Sequence, residues 1–115
     1  MVLWIGFDLQ AGIEAVDVSN WTALHLAAYY GKEAVATQLL QAGVSVSAVT
    51  DGGWTPLHWA AYNGKSSIAN LLLQANASPT AVDKGGRTPA QRAKQSGHGD
   101  LAARLLEAEQ AAALK

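Results

Sequence analysis

One block of residues returns every 33 positions, and this interval constrains the fold more than any other property of the chain. Trp21-Thr22-Ala23-Leu24-His25-Leu26-Ala27-Ala28 reappears as Trp54-Thr55-Pro56-Leu57-His58-Trp59-Ala60-Ala61. It returns again, more divergent, as Arg87-Thr88-Pro89-Ala90-Gln91-Arg92-Ala93-Lys94. Gly31, Gly64 and Gly97 keep the same offset, as do the leucine pairs Leu39-Leu40, Leu72-Leu73 and Leu105-Leu106. A unit this short cannot bury its own apolar face, so such copies fold by leaning on one another. The expected product is a stacked scaffold that presents a surface, and a pocket lined with reactive groups is not expected.

The middle copy shows how one unit is built. Asp51-Gly52-Gly53 reads as a turn, because adjacent glycines reach backbone angles closed to other residues. Thr55 then caps a helix whose first position is Pro56, where a missing N–H costs nothing. Leu57, Ala60 and Ala61 give that helix an apolar face, and its small side chains allow close approach of a neighbour. The helix is predicted over about 55–62, with a stop at Asn63-Gly64. A second helix is predicted from about Lys65 to Ala75, carrying Ile68, Leu71, Leu72 and Leu73. Asn76 stands where the preceding copy has Gly43, and both residue types tolerate the left-handed conformation that ends helices.

This pattern resembles the ankyrin repeat. Thr55-Pro56-Leu57-His58-Trp59-Ala60-Ala61 is similar to the family's best-known stretch, and Asn63-Gly64-Lys65 and Leu71-Leu72-Leu73 fit the remainder. The resemblance covers the chain from about residue 2 to 112. It implies an all-α solenoid of stacked helix-turn-helix units with turn or finger loops between them. At 115 residues the chain accommodates one domain. Its expected parts are an N-terminal half-repeat over 1–12 and repeats over 17–49, 50–82 and 83–115, the last also serving as the C-terminal cap.

Departures from the pattern carry their own expectations. The first copy has Ala23 in place of the proline, and its turn is shorter by two residues between Gly12 and Thr22, so its finger is expected to be short or bent. Residues 2–12, with Trp4, Ile5 and Phe7, are too apolar for a solvent-facing cap. They are expected either to cover the first full unit or to form the cut face of a longer stack. In the third copy Arg92 and Lys94 enter an otherwise apolar helix, which reads as a terminal unit with one wet face. The final helix is predicted over about 99–114, rich in strong helix formers. Terminal units have one neighbour each and should open first, so a cavity at Leu72 should cost more than one at Leu106.

Composition narrows the function classes. Half the residues are hydrophobic, enough for a core, and the net charge of −1 gives no reason to expect nucleic acid or an anionic membrane as partner. Charge is unevenly placed. Residues 1–50 hold Asp8, Glu14, Asp17 and Glu33 against Lys32, whereas residues 84–115 hold six Lys or Arg against Asp100, Glu107 and Glu109. The absence of cysteine removes disulfides, thiolate metal sites and cysteine nucleophiles together. It suits the cytoplasm or another reducing compartment. Val2 to Phe7 lacks the basic leader of a signal peptide.

The resemblance implies that finger and inner-helix positions face a concave groove where partner proteins bind. The candidates on this ground are Trp21, Trp54 and Arg87 before the capping threonines, Tyr29, Tyr30, Tyr62 and Asn63 at the inner-helix ends, and Asp51 opening a turn. Aromatic groups suit contact surfaces because they carry large apolar area at low conformational cost. For Trp21 and Trp54, packing on neighbouring turns is an equal reading, and Trp59, aligned with Leu26 and Arg92, reads as packing between units. His25 and His58 could suggest a metal pair, but no further ligands are at hand. The resemblance instead implies that they tie adjacent units by hydrogen bonds, with His98 in a routine framework place.

Gly64-Lys65-Ser66 is no phosphate loop, since Trp59 stands where the required glycine should be. Asn20-Trp21-Thr22 and Asn76-Ala77-Ser78 match the glycosylation triplet, yet nothing else indicates secretion and Pro79 spoils the second. Lys84, Arg87, Arg92 and Lys94 read as a solvated basic end face. No cofactor, metal or catalytic constellation is expected. The reading is a non-enzymatic scaffold for a partner protein. The alternatives are self-association through the apolar start or the alanine-rich tail, including a weak homodimer, or service as a regulatory part of a larger enzyme or channel.

Overall fold

The computed structural model describes residues 20–113 as six helices in three successive pairs. The first pair is α1 (Ala23–Tyr30) and α2 (Glu33–Gln41), the second α3 (Pro56–Tyr62) and α4 (Ser66–Gln74), the third α5 (Pro89–Gln95) and α6 (Gly99–Ala113). Among the described residues there is no strand. The shortened first finger and the N-terminal half-repeat expected from the sequence lie outside the described residues.

The first helix of each pair starts the same way for the same reason. Thr22, Thr55 and Thr88 hold extended backbone, and each hydroxyl accepts from the backbone N–H three residues on. The side chain at that third position, His25, His58 or Gln91, reaches back to the threonine N–H. Two otherwise orphaned donors are thus satisfied at each start. The second helices end in a common way too. Val44 N–H returns to the Leu39 carbonyl and Ala77 N–H to that of Leu72, at 3.3 and 2.9 Å. This requires positive φ at Gly43 and Asn76, which adopt 82° and 72°.

Burial follows the leucine pairs unevenly. Leu39, Leu72 and Leu105 are fully buried, together with Leu24, Leu57 and Ile68. Of the second members, Leu40 and Leu73 are half-buried against the core, and Leu106 is 46% exposed. The alanines of the inner helices, Ala27, Ala28, Ala60, Ala61 and Ala93, have no exposure at all. They permit α1 to pack on α3 and α3 on α5, while α2 packs on α4 in a second row.

Hydrogen bonds fasten one unit to the next. His25 Nε2 meets the Trp54 carbonyl at 3.0 Å and His58 Nε2 meets that of Arg87 at 2.9 Å. Asn63 donates to the Tyr29 carbonyl, and Ser96 to that of Tyr62. Neighbouring fingers join where Lys84 N–H donates to the Gly52 carbonyl. At Gly64 the next unit leaves no room, because a Cβ there would stand 2.6 Å from the ring of His98. His98 therefore does occupy a framework position.

Candidate functional site: the inner-helix and finger face

Three tryptophans from two units form a column across the inner helices. Trp59, on α3, bridges Trp21 of the first unit and Trp54 of its own, with ring centroids at 4.4 and 4.2 Å and planes tilted by 36° and 34°. The guanidinium of Arg92, one period after Trp59, lies 4.5 Å over the Trp54 ring. Tyr29 stands edge-on to Trp21 at 5.6 Å, and Tyr62 edge-on to Trp54 at 5.3 Å. Edge-to-face and offset arrangements match positive ring edges to negative ring faces, and a cation over an indole is attracted by the same quadrupole. Trp59 thus packs between units as its sequence position suggests. Its indole Nε1 is shielded and has no acceptor, a desolvation cost that the surrounding ring contacts must offset.

The remaining candidates divide by what they touch. Tyr29, Tyr30 and Tyr62 are exposed by 38, 61 and 38%, the largest aromatic exposures among the described residues. Trp21 and Trp54 are half-buried, with part of each ring in the column and part at the surface. Asp51 is exposed and accepts a 2.7 Å hydrogen bond from Asn20 Nδ2, the residue before Trp21. Arg87 is exposed, while its carbonyl serves the inter-unit bond from His58. Asn63 is half-buried and committed to the Tyr29 carbonyl, so it acts first as a tie between units.

Arg92 departs from the wet end face expected of it. Its side chain is only 15% exposed, and its Nε donates to Asp83 Oδ2 at 2.7 Å. Asp83 is buried, and its other oxygen accepts from the backbone N–H groups of Gly85 and Arg87. Burial alone would raise the Asp83 carboxyl, but the Arg92 hydrogen bond, the two backbone donors and the guanidinium charge outweigh it and hold the carboxyl below its ordinary range. Arg92 is therefore paired within the fold, and of the four cations expected on the end face Lys84, Arg87 and Lys94 are exposed. Sequence reading missed the pair because Asp83 and Arg92 are nine positions apart and no local rule links them. The available signal was Arg92's alignment with Trp59, a position that faces the preceding unit's tryptophan.

The histidines of the inner helices are fully engaged. Nδ1 of His25 accepts from Thr22 N–H, and Nδ1 of His58 from Thr55 N–H, so each carries its proton on Nε2 and donates to the next unit. For His58, burial is the largest influence and lowers its pKa. The Arg87 carbonyl and the Asp83 charge oppose that shift only in part, and the Arg92 charge adds to it. Neither ring has a nitrogen lone pair to spare for a metal. Among the described residues no helix is long and apolar enough to cross a membrane.

Comparison with known families agrees with this architecture. The family model for ankyrin repeats, in three copies, matches residues 3–83 and 46–114. No curated protein matches the chain. Helix pairs recurring every 33 residues, threonine-capped inner helices and histidine ties between units are thus features of a chain that belongs to the ankyrin repeat family.

Proposed function

We infer that this chain is a non-catalytic docking scaffold that holds a partner protein along its finger and inner-helix face. Ankyrin repeats are in general protein–protein interaction modules, which supports the broad reading. The observation that supports the specific face is the exposure of Tyr29, Tyr30 and Tyr62 beside a rigid tryptophan column. Aromatic rings gathered on one face supply large contact area at low conformational cost, as docking surfaces do.

The mechanism is preorganisation. Tyr29 and Tyr62 are held by edge-on contacts to Trp21 and Trp54, and Asn63 and Ser96 bond the carbonyls of those same two tyrosines. A partner settling on this strip meets rings that are already ordered, so the ordering cost falls on the partner's side alone. Asp51 at one finger, with Lys84 and Arg87 at the next, set its orientation.

The test is a paired substitution. A partner is recovered by affinity capture with the intact chain, and its affinity is then measured for Tyr29→Ala with Tyr62→Ala. Losing two well-placed tyrosines should weaken binding by about 2–4 kcal/mol, with helicity unchanged because both rings lie at the surface. Unchanged affinity would remove the tyrosines from the site.

A further inference from the structure

The third unit is open where the first two are closed. A groove of about 410 Å³ lies between α5 and α6, lined by Ala90, Ala102, Ala103 and Leu106 and by the charged side chains of Lys94 and Glu109. The equivalent positions one and two periods earlier are shut away: Leu24 and Leu57, Ala28 and Ala61, and Ala36 and Ala69 are all buried. In the third unit Lys94 stands where those units have Ala28 and Ala61, and it is exposed. Leu106 is 46% exposed beside it.

A further unit of the same geometry does not fit this face. α1 packs on α3, and α3 on α5, with alanines that let the helices approach closely. A lysine in the alanine position holds the next helix away. Gln91 also replaces the histidine whose Nε2 ties each earlier unit to its successor, and its Oε1 is spent on the Thr88 N–H. The groove therefore suits something other than continuation of the stack.

Its two charged side chains call for opposite partners. One carboxylate oxygen of Glu109, on α6, is shielded from water and has no hydrogen-bond partner, a state that is costly until a donor arrives. Lys94, on α5, has three donors and is exposed, and the ion pairs among the described residues centre on Asp83 and leave it out. One face thus holds an acceptor lacking a donor and a free cation, around an apolar floor. Such a surface is complementary to itself. A half-turn about an axis through the groove sets each Lys94 against the Glu109 of the other copy and brings the two Leu106 side chains together.

We propose that the α5–α6 groove is a two-fold interface that takes a second copy of this chain, with Leu106 packed at its centre and Lys94 of each copy paired with Glu109 of the other. Charge pairing fixes the register, and the apolar floor supplies the attraction.

Sedimentation equilibrium of the intact chain over a concentration series should show the mass rising from one chain to two. Leu106→Glu should weaken association about tenfold or more, with helicity unchanged because that side chain is nearly half exposed in the single chain. Lys94→Glu and Glu109→Lys should each weaken it about tenfold by setting like charges together. Mixing those two variants, or joining both changes in one chain, should restore it. Tyr29→Ala with Tyr62→Ala should leave it unchanged.

A monomer at every concentration overturns the proposal. So does a dimer indifferent to Leu106→Glu, or one that the mixed charge variants fail to restore. If the chain stays monomeric while Leu106→Glu abolishes capture of a different protein, the groove docks that protein and a second copy is the wrong occupant.

Discussion

Replacing Leu72 with alanine is expected to cost about 2–5 kcal/mol of folding stability. Leu72 is fully buried on α4, which lies against both α2 and α3 in the central unit. Removal of its terminal carbons leaves a space that neighbours on two sides are too well fixed to fill. Leu106→Ala should cost about 1 kcal/mol or less, because that side chain is nearly half exposed. The counterpart of Leu72 in the last unit is Leu105, fully buried but in a unit with fewer neighbours among the described helices. Urea unfolding of the three variants checks the order Leu72, Leu105, Leu106. A greater loss at Leu106 than at Leu72 would mean that interior and edge have been wrongly assigned.

Asp83→Ala is the other substitution with a large expected effect, about 3 kcal/mol. It removes the acceptor for Arg92 and for the Gly85 and Arg87 N–H groups in one step. A wholly buried pair would lose more, but Arg92 retains some contact with water. Arg92→Ala should cost less, since the backbone donors still hold the carboxylate. The double variant should cost clearly less than the two single losses together, because the groups are bonded to each other. The contribution also has a pH signature. With its folded pKa depressed, Asp83 stabilises fully above the ordinary carboxylate value and loses that contribution as pH falls through the folded value. The gap between wild type and Asp83→Ala should therefore narrow in acid. Strict additivity at neutral pH would show that Asp83 and Arg92 act independently.

Local chemistry made most of the fold legible before the structure. A capping threonine, a proline at the first helical position and a glycine at the stop act within a few residues of themselves, so the inner helices begin and end where the sequence places them. The same holds for Asn76, whose left-handed backbone was readable from its alignment with Gly43. The 33-residue interval supplied the rest, because translation of one unit onto the next fixes which faces meet.

What stayed hidden depends on contacts across units. Arg92 looks like a solvent-facing charge until Asp83 folds back against it from the preceding turn and Trp54 lies beneath it. The leucine pairs give no clue as to which member points inward, since both stand in the same amphipathic stripe. Nor does the letter code distinguish an asparagine that contacts a partner from one that ties units, and Asn63 spends its amide on the Tyr29 carbonyl. For Trp21 and Trp54 the structure shows the packing, since both are half-buried against Trp59.

We propose that a partner docks on the inner-helix and finger face. Nuclear magnetic resonance of the isotope-labelled chain, titrated with a captured protein partner, tests it most directly. Shift changes should concentrate on Tyr29, Tyr62, the Trp54 indole and the fingers at Asp51 and Arg87, with the outer helices α2 and α4 unmoved. Changes concentrated on α2 and α4, with those rings unperturbed, would contradict it.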